Sequence, residues 1–305
     1  MGTLGGMMPV VSLALFVMRL LGRLPLTVLQ GAGCFFGRLV FALDTRHRKI
    51  ALNNLRFVYG EDCPDSDLRR MARSIFQSFG QIPFEVCWSL GLKRKDWHTF
   101  FKISGLDHYR QAAAGGNGVL FLTAHFGNWE LLAIIGAMAD LPLHVVYRPL
   151  DAPILDEMVR RIRQRFGAAL IPKKRNIFKI NRVLRDGRCI AILLDQNVDW
   201  YEGVFVDFLG HRACTSKGLA ALSILSKAPV VPAFLVREAD GFHAHFEPPI
   251  YPNVTGDRIR DLEDNTQRYN QAIESFVRRY PDQWFWVHQR WKTRPYQLIQ
   301  KNCGF

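Results

Sequence analysis

The sequence predicts an α/β fold, a mainly parallel central sheet flanked by helices, preceded by a helical segment that associates with a membrane. Three observations carry this. The runs "GVLFLTA" from Gly118 and "RCIAILLDQ" from Arg188 are continuously apolar, the pattern of strands buried on both faces. They alternate with stretches of helical apolar spacing that stop at glycine, as in parallel sheets built from crossover units. And no charged residue occurs before Arg19.

The elements follow in order. Pro9 to about Leu43 reads as embedded in or lying at a membrane interface, with Arg19, Arg23 and Arg38 reaching toward headgroups. A signal peptide carries its positive charge ahead of its apolar run, and here the arginines follow it. The chain therefore divides into an anchoring segment, 1–45, and an α/β domain, 46–305. "PDSDLRRMARSIFQSFGQIPFEVCW" has helical spacing, with Asp65 or Ser66 as its cap. "FFKISG" is a short strand, "GVLFLTA" a buried one, and a helix runs from Asn128 to about Ala139. The strand "LPLHVVYR" precedes the helix "ILDEMVRRIRQRFG"; the helix "NIFKINRVLRDG" precedes the strand "RCIAILLDQ". "TSKGLAALSILSKA" is a helix capped at Thr215 or Ser216, followed by the strand "PVVPAFLVRE". "GFHAHFEPPI" continues the sheet at an edge, and a last helix spans about Arg258 to Tyr280.

Hydrophobic residues make up 49% of the 305, which excludes a disordered or fibrous chain. The net charge of +13 points to an anionic partner. The basic residues cluster at Arg46–Lys49, Lys93–Lys95, Arg160–Arg165 and Lys173–Arg175. No recognition helix, zinc finger or RNA-binding fingerprint accompanies them, so nucleic acid is not expected. Six scattered cysteines, with no CxxC pair, fit a reducing compartment and packing roles.

The candidate chemistry sits in "GVLFLTAHFGNWELLAIIGAM". On one continuous helix His125 and Glu130 would point about 140° apart. They can meet only if the chain bends. The reading is that a strand delivers His125, Gly127 turns, Asn128 caps the new helix, and Glu130 lies in its first turn. Glu130 would then accept the Nδ1 proton of His125 and leave Nε2 free as a general base. No serine or cysteine stands beside the pair, so a hydroxyl carried by the substrate is the group to deprotonate. Two further strand ends deliver Arg148 and Asp195–Gln196. Ligands bind beyond the carboxyl ends of strands in such sheets, so these residues converge on one cleft if the strands are neighbours. Arg148 could hold an oxyanion there.

Other motifs carry less. His243 and His245 share a strand face, but a metal needs a third ligand and none is apparent, so no metal site is expected. "AGGNG" lacks a nucleotide-binding pattern, and no cofactor is expected. "QWFWVHQRW" is either a belt at headgroup level or core.

"HFGNWE", "VYRPLD", "LLDQNVDWYEGVFVDFLGHRACTSKGLAALS", "PDQWFWVHQRWKTRP" and "RKIALNNLRFVYGED" together resemble the bacterial lipid A late (lauroyl/myristoyl) acyltransferases, within the H-x4-D/E acyltransferase superfamily. The resemblance runs from the apolar segment to about Pro295. It departs from the family pattern at Asp151, at Asp207 and at Leu209.

The resemblance implies a glycerolipid acyltransferase-like sandwich. It implies transfer of a fatty acyl group from an acyl carrier protein thioester to a hydroxyl of a phosphorylated lipid A precursor, at the cytoplasmic face of the inner membrane. His125 carries over as base and Glu130 as its partner. Arg148 becomes a phosphate or carrier contact. Asp195, Gln196, Phe208, Gly210 and Thr215, with Asn128 beside the base, shape the cleft. The carrier is an acidic protein and the acceptor an anionic glycolipid, which agrees with the basic chain. Rival readings are acylation of a lysophospholipid, an ornithine lipid or a glycosylated inositol lipid, a lipid-binding protein without turnover, and a metal-dependent hydrolase.

Overall fold

The computed structural model describes residues 3–60, 63–172 and 176–295. The basic cluster Lys173–Arg175 and Cys303 lie outside the described residues. In chain order the helices are α1 (Thr3–Leu21), α2 (Leu26–Leu43), α3 (Thr45–Tyr59), α4 (Asp65–Gly91), α5 (Trp97–Phe100), α6 (Leu106–Ala113), α7 (Leu132–Met138), α8 (Pro153–Arg165), α9 (Ile177–Arg185), α10 (Gly218–Ser226) and α11 (Arg258–Arg279). The strands are β1 (Phe101–Ser104), β2 (Val119–Thr123), β3 (Leu143–Tyr147), β4 (Ala169–Pro172), β5 (Cys189–Leu193), β6 (Gly203–Phe208), β7 (His211–Ser216), β8 (Val230–Glu238) and β9 (Gly241–Phe246).

Seven strands form the central sheet in the order β1-β9-β8-β2-β5-β3-β4. Only the β8–β9 hairpin is antiparallel; the other neighbours run parallel. Along β2, Leu120 and Leu122 face one core cluster while Val119 and Phe121 face the other. That period of two, with apolar residues on both sides, is why the strand reads as an unbroken apolar run.

Some elements differ from the sequence expectation. "GFHAHF" is not an edge strand: β1 pairs parallel outside it, Phe101 against Phe242. β6 and β7 form a separate two-stranded hairpin. Thr215 and Ser216 belong to β7 rather than to the helix; α10 starts at Gly218, whose N–H donates to Ser216 Oγ at 3.3 Å, and the Lys217 between them makes no side-chain capping bond. Ladder pairing of Val204 with Thr215 outcompetes the capping preference of Thr215.

α2 is long and apolar enough to cross a membrane, with 22% of it buried inside the protein. Its buried side lies on α4 almost backbone to backbone. A Cβ on Gly80 would stand 2.4 Å from the Gly33 carbonyl oxygen and 2.7 Å from Gly37 Cα. Small residues at such a spacing allow close helix crossing. The other side presents Phe35, Phe36, Leu39 and Leu43 to the surroundings, and α1 adds Leu13 and Phe16. The N-terminal helices thus dock on the α/β body through α4 and leave an apolar face uncovered, which marks an interaction surface. The aromatic C-terminal block is core: Trp284 and Trp286 are fully buried.

Candidate active site

β2, β5 and β3 are consecutive neighbours, so their carboxyl ends share one edge of the sheet. The register pairs Thr123 with Leu193. His125 and Asp195 each follow two residues later, and the parallel pairing therefore sets them opposite one another. Asp195 Oδ2 accepts from the His125 backbone N–H at 3.0 Å, and Asp195 Oδ1 lies 2.8 Å from His125 Nδ1. Trp284 Nε1 donates to Oδ2 at 3.0 Å, leaving the carboxylate fully engaged and 2% exposed. The imidazole is 20% exposed.

Gly127 makes the bend. Its φ is +54°, and a Cβ there would stand 1.9 Å from the Leu235 carbonyl oxygen. Its N–H donates to the Gln283 carbonyl at 2.8 Å, and the Phe285 N–H donates to the His125 carbonyl at 3.1 Å. The C-terminal segment thereby clamps the loop on both sides of the turn. Trp129 and Phe285 flank the imidazole, with ring centroids 5.0 and 5.9 Å away.

Burial disfavours the imidazolium of His125. The charge and hydrogen bond of Asp195 outweigh it, helped by Glu130, and hold the pKa above its ordinary 6.5. Burial likewise opposes the Asp195 carboxylate, but His125 and the Trp284 N–H keep it ionised, below its usual range. With Nδ1–H donated to Asp195, Nε2 is the basic atom. Its neighbour is the Gln196 side-chain nitrogen at 3.5 Å, too long for a strong bond and easily displaced by a hydroxyl.

The expected His125–Glu130 hydrogen bond is not formed. Asp195 already occupies Nδ1, and a 3-10 turn, Trp129–Leu131, aims Glu130 at α8. There Arg163 donates Nε to Oε2 at 2.8 Å and Nη2 to Oε1 at 2.7 Å, while Trp129 Nε1 donates to Oε1 at 3.0 Å. Glu130 therefore acts on His125 only through space.

Asn128 is not a helix cap either. It is fully buried and its Nδ2 donates to Glu85 Oε2 at 2.9 Å. The fully buried Glu85 also takes a bidentate pair from Arg237, at 2.5 and 2.8 Å, and a bond from Gln30 of α2 at 3.0 Å. This cluster ties α2, α4, β8 and the histidine loop together.

Arg148 follows β3 at the same sheet edge, largely exposed and weakly paired with Asp151 at 3.3 Å. Phe208 and Thr215 are wholly buried and do not line an opening. Phe208 packs on Trp284 at 5.3 Å. Thr215 Oγ1 accepts from Asn270 and from Arg290, whose Nη1 also donates to the Cys214 carbonyl at 3.0 Å. Gly210 is the exposed tip of the β6–β7 turn, at φ +83°. Phe208, through Trp284, and Thr215, through Arg290, brace the loop that carries Asp195 and Gln196. Two clefts, of about 570 and 600 Å³, lie elsewhere: one between α3 and the start of α4, one beside the α1–α2 turn.

Sequence reasoning missed Arg163, Glu85, Arg237 and Trp284, each of which acts from a distant segment. The basic cluster Arg160–Arg165 on α8 is in part internally paired. Arg163 turns inward to Glu130, and Arg160 and Arg161 both pair with Glu157. The absence of a third ligand near His243 and His245 is also overturned, because Glu238 of β8 sits beside them.

Residues 7–293 match the family described as bacterial lipid A biosynthesis acyltransferase. Among curated relatives, the chain is similar to the lipid A biosynthesis lauroyltransferase of Escherichia coli K12, 27% identical over 284 residues, covering 93% of this chain and 91% of that one. It is 27% identical to the palmitoleoyltransferase of the same organism over 278 residues, 90% and 88% of the two chains. To the myristoyltransferase it is 25% identical over 284 residues, 90% and 82% of the two chains.

Proposed function

The chain belongs to the bacterial lipid A biosynthesis acyltransferase family and is an acyltransferase, and from that premise we propose a direct transfer in which His125 is the general base. The acyl donor is an acyl carrier protein thioester and the acceptor a hydroxyl of a phosphorylated lipid A precursor. The observation that carries the reading is the arrangement about one ring: Nδ1 of His125 is held by a buried carboxylate, while beside Nε2 stands the Gln196 side-chain nitrogen at 3.5 Å, too far for a strong bond.

In the proposed step the acceptor oxygen attacks the thioester carbonyl carbon as its proton passes to Nε2. The tetrahedral adduct then expels the thiol sulfur, the C–S bond breaks, and the imidazolium returns the proton to that sulfur. No acyl-enzyme forms. Asp195 holds the tautomer and stabilises the imidazolium; its two other hydrogen bonds keep it from turning away. Glu130, neutralised in part by Arg163, adds a weaker through-space contribution. Arg148, at the same sheet edge and nearly unpaired, is available to a phosphate of the acceptor.

The exposed apolar face of α1 and α2 seats the protein on the bilayer that holds the acceptor, at the cytoplasmic side of the inner membrane. The overall positive charge favours both an acidic carrier and an anionic glycolipid.

The test is an assay of the purified full-length protein in detergent micelles, with acyl carrier protein and coenzyme A thioesters as donors. Lipid A precursors and a lysophospholipid serve as acceptors. The proposal expects transfer from the carrier to the lipid A precursor, lost in a folded His125→Ala variant. Transfer to the lysophospholipid alone, or full turnover by His125→Ala, would overturn it.

A further inference from the structure

We propose that Glu238, His243 and His245 form a binding site for a divalent transition-metal ion of the zinc type, separate from the acyl-transfer site. The β8–β9 register pairs Val236 with His243 and Phe234 with His245, with Glu238 opposite Gly241. Side chains two residues apart share a sheet face, so Glu238, His243 and His245 all project from the same side. Their donor atoms lie within 4.8 Å of one another, and the two imidazole centroids are 4.0 Å apart. Among the described residues this is the one such grouping of histidine, cysteine or carboxylate.

Two features distinguish the cluster from a histidine pair that merely packs. His245 Nε2 is buried and has no hydrogen-bond partner. A buried nitrogen without a partner is costly, and a bound cation would satisfy it. His243 already has its outer partner: Nε2 lies 2.7 Å from Ser104 Oγ on β1. If Nε2–H donates there, the Nδ1 lone pair faces the Glu238 carboxylate at 3.0 Å. Two electron-rich groups at that distance need a proton or a cation between them. A hydrogen bond fixing the far nitrogen is the usual support of a metal-ligating histidine.

The spacing suits zinc. Bonds of about 2.0–2.2 Å in a tetrahedron put donors roughly 3.3 Å apart, reachable here by small side-chain rotations. Two imidazoles and one carboxylate leave a fourth position for water, and nitrogen-rich sets of this kind favour zinc over calcium or magnesium. The local charge permits it: the carboxylates of Glu238, Asp240 and Glu247 face the cations Lys102 and Arg279. Lys102 contacts Asp240 at 3.1 Å and Glu238 at 3.4 Å, and can keep the former when a metal takes the latter. The strand order puts β8 between β9 and β2, so the site stands at the far side of β8 from the histidine loop.

The experiment is a titration of the full-length detergent-purified protein, stripped with a chelator, with zinc chloride in competition with a chromogenic indicator. Elemental analysis gives the stoichiometry. The proposal expects about one equivalent bound, with His245→Ala and Glu238→Gln each weakening binding by at least roughly tenfold. His47→Gln, an exposed histidine elsewhere, serves as the unaffected control. Glu238 is a partly exposed residue, so its variant keeps the test valid if His245→Ala fails to fold. No saturable binding by the parent protein, or equal binding by both variants, would overturn the proposal.

Discussion

His125 Nδ1 stands 2.8 Å from Asp195 Oδ1, and the same carboxylate accepts the His125 backbone N–H. A single side chain thus fixes both the position of the strand end and the tautomer of its imidazole. Glu130, five residues on, is spent on Arg163. The through-space help it gives the imidazolium is smaller than that of Asp195.

The raised pKa of His125 sets the pH dependence of the proposed reaction. The base works unprotonated, so kcat/KM should fall as pH drops through a value above the ordinary 6.5. A pH profile of the parent enzyme in micelles reads this directly. An acid limb below 6.5 would contradict the assignment.

Gly127→Ala introduces a methyl group 1.9 Å from the Leu235 carbonyl oxygen, at a φ that L-residues rarely adopt. The bend must then move, and His125 with it. The expected outcome is loss of activity together with a clear drop in thermal stability. A fully active, equally stable variant would show that the turn is not required.

Glu85→Ala leaves the guanidinium of Arg237 and the amide of Asn128 without their buried partner. Breaking one side of a buried pair costs about 3–5 kcal/mol, enough to unfold a marginal domain. Glu85→Gln keeps the size and part of the hydrogen bonding and should lose less. Because Asn128 belongs to the histidine loop and Gln30 to α2, both variants should also reduce turnover. Differential scanning of the two proteins, with rates measured on the folded fraction, separates stability from activity.

Burial lowers the pKa of His288 from 6.5 to about 4, with Arg290 and His125 adding to it and Asp195 opposing. Its neutral Nε2 accepts the Asn197 N–H at 2.8 Å. The unfolded chain takes up this proton as pH falls through 6.5 and the folded chain does not until about 4. The resulting stability is present above 6.5 and lost progressively between those values, about 3 kcal/mol in all. His288→Gln keeps an acceptor for Asn197 and should flatten that part of the pH–stability curve, as thermal unfolding at pH 7 and 5 would show.

Much of the fold was legible because its signals are local. β2 and β5 announce themselves as unbroken apolar runs, and α8, α9 and α11 by helical spacing with glycine or proline stops. Strand direction placed His125, Arg148 and Asp195 at carboxyl ends, and the adjacency of β2, β5 and β3 brings those ends together. What failed were choices between competing local and distant partners. Thr215 prefers a helix cap in isolation, but its strand pairing and its bonds to Asn270 and Arg290 prevail. Asn128 looks like a cap until Glu85 arrives from α4. Glu130 is near His125 in sequence, whereas Asp195 is 70 residues away and is brought in by the pairing of Thr123 with Leu193. Both strands had been recognised; only their adjacency was missing. Glu238 completes the His243–His245 group by the same route, through a hairpin register that no spacing rule reports.

The most direct test compares the pH profiles of Asp195→Asn and Glu130→Gln with the parent. Asp195→Asn should lower kcat by roughly 10²–10⁴-fold and move the acid limb downward, while Glu130→Gln should retain most activity and shift the limb only slightly. If the glutamate variant is the one that collapses and Asp195→Asn turns over normally, then the buried aspartate is not the partner of the base and the account is wrong at its centre.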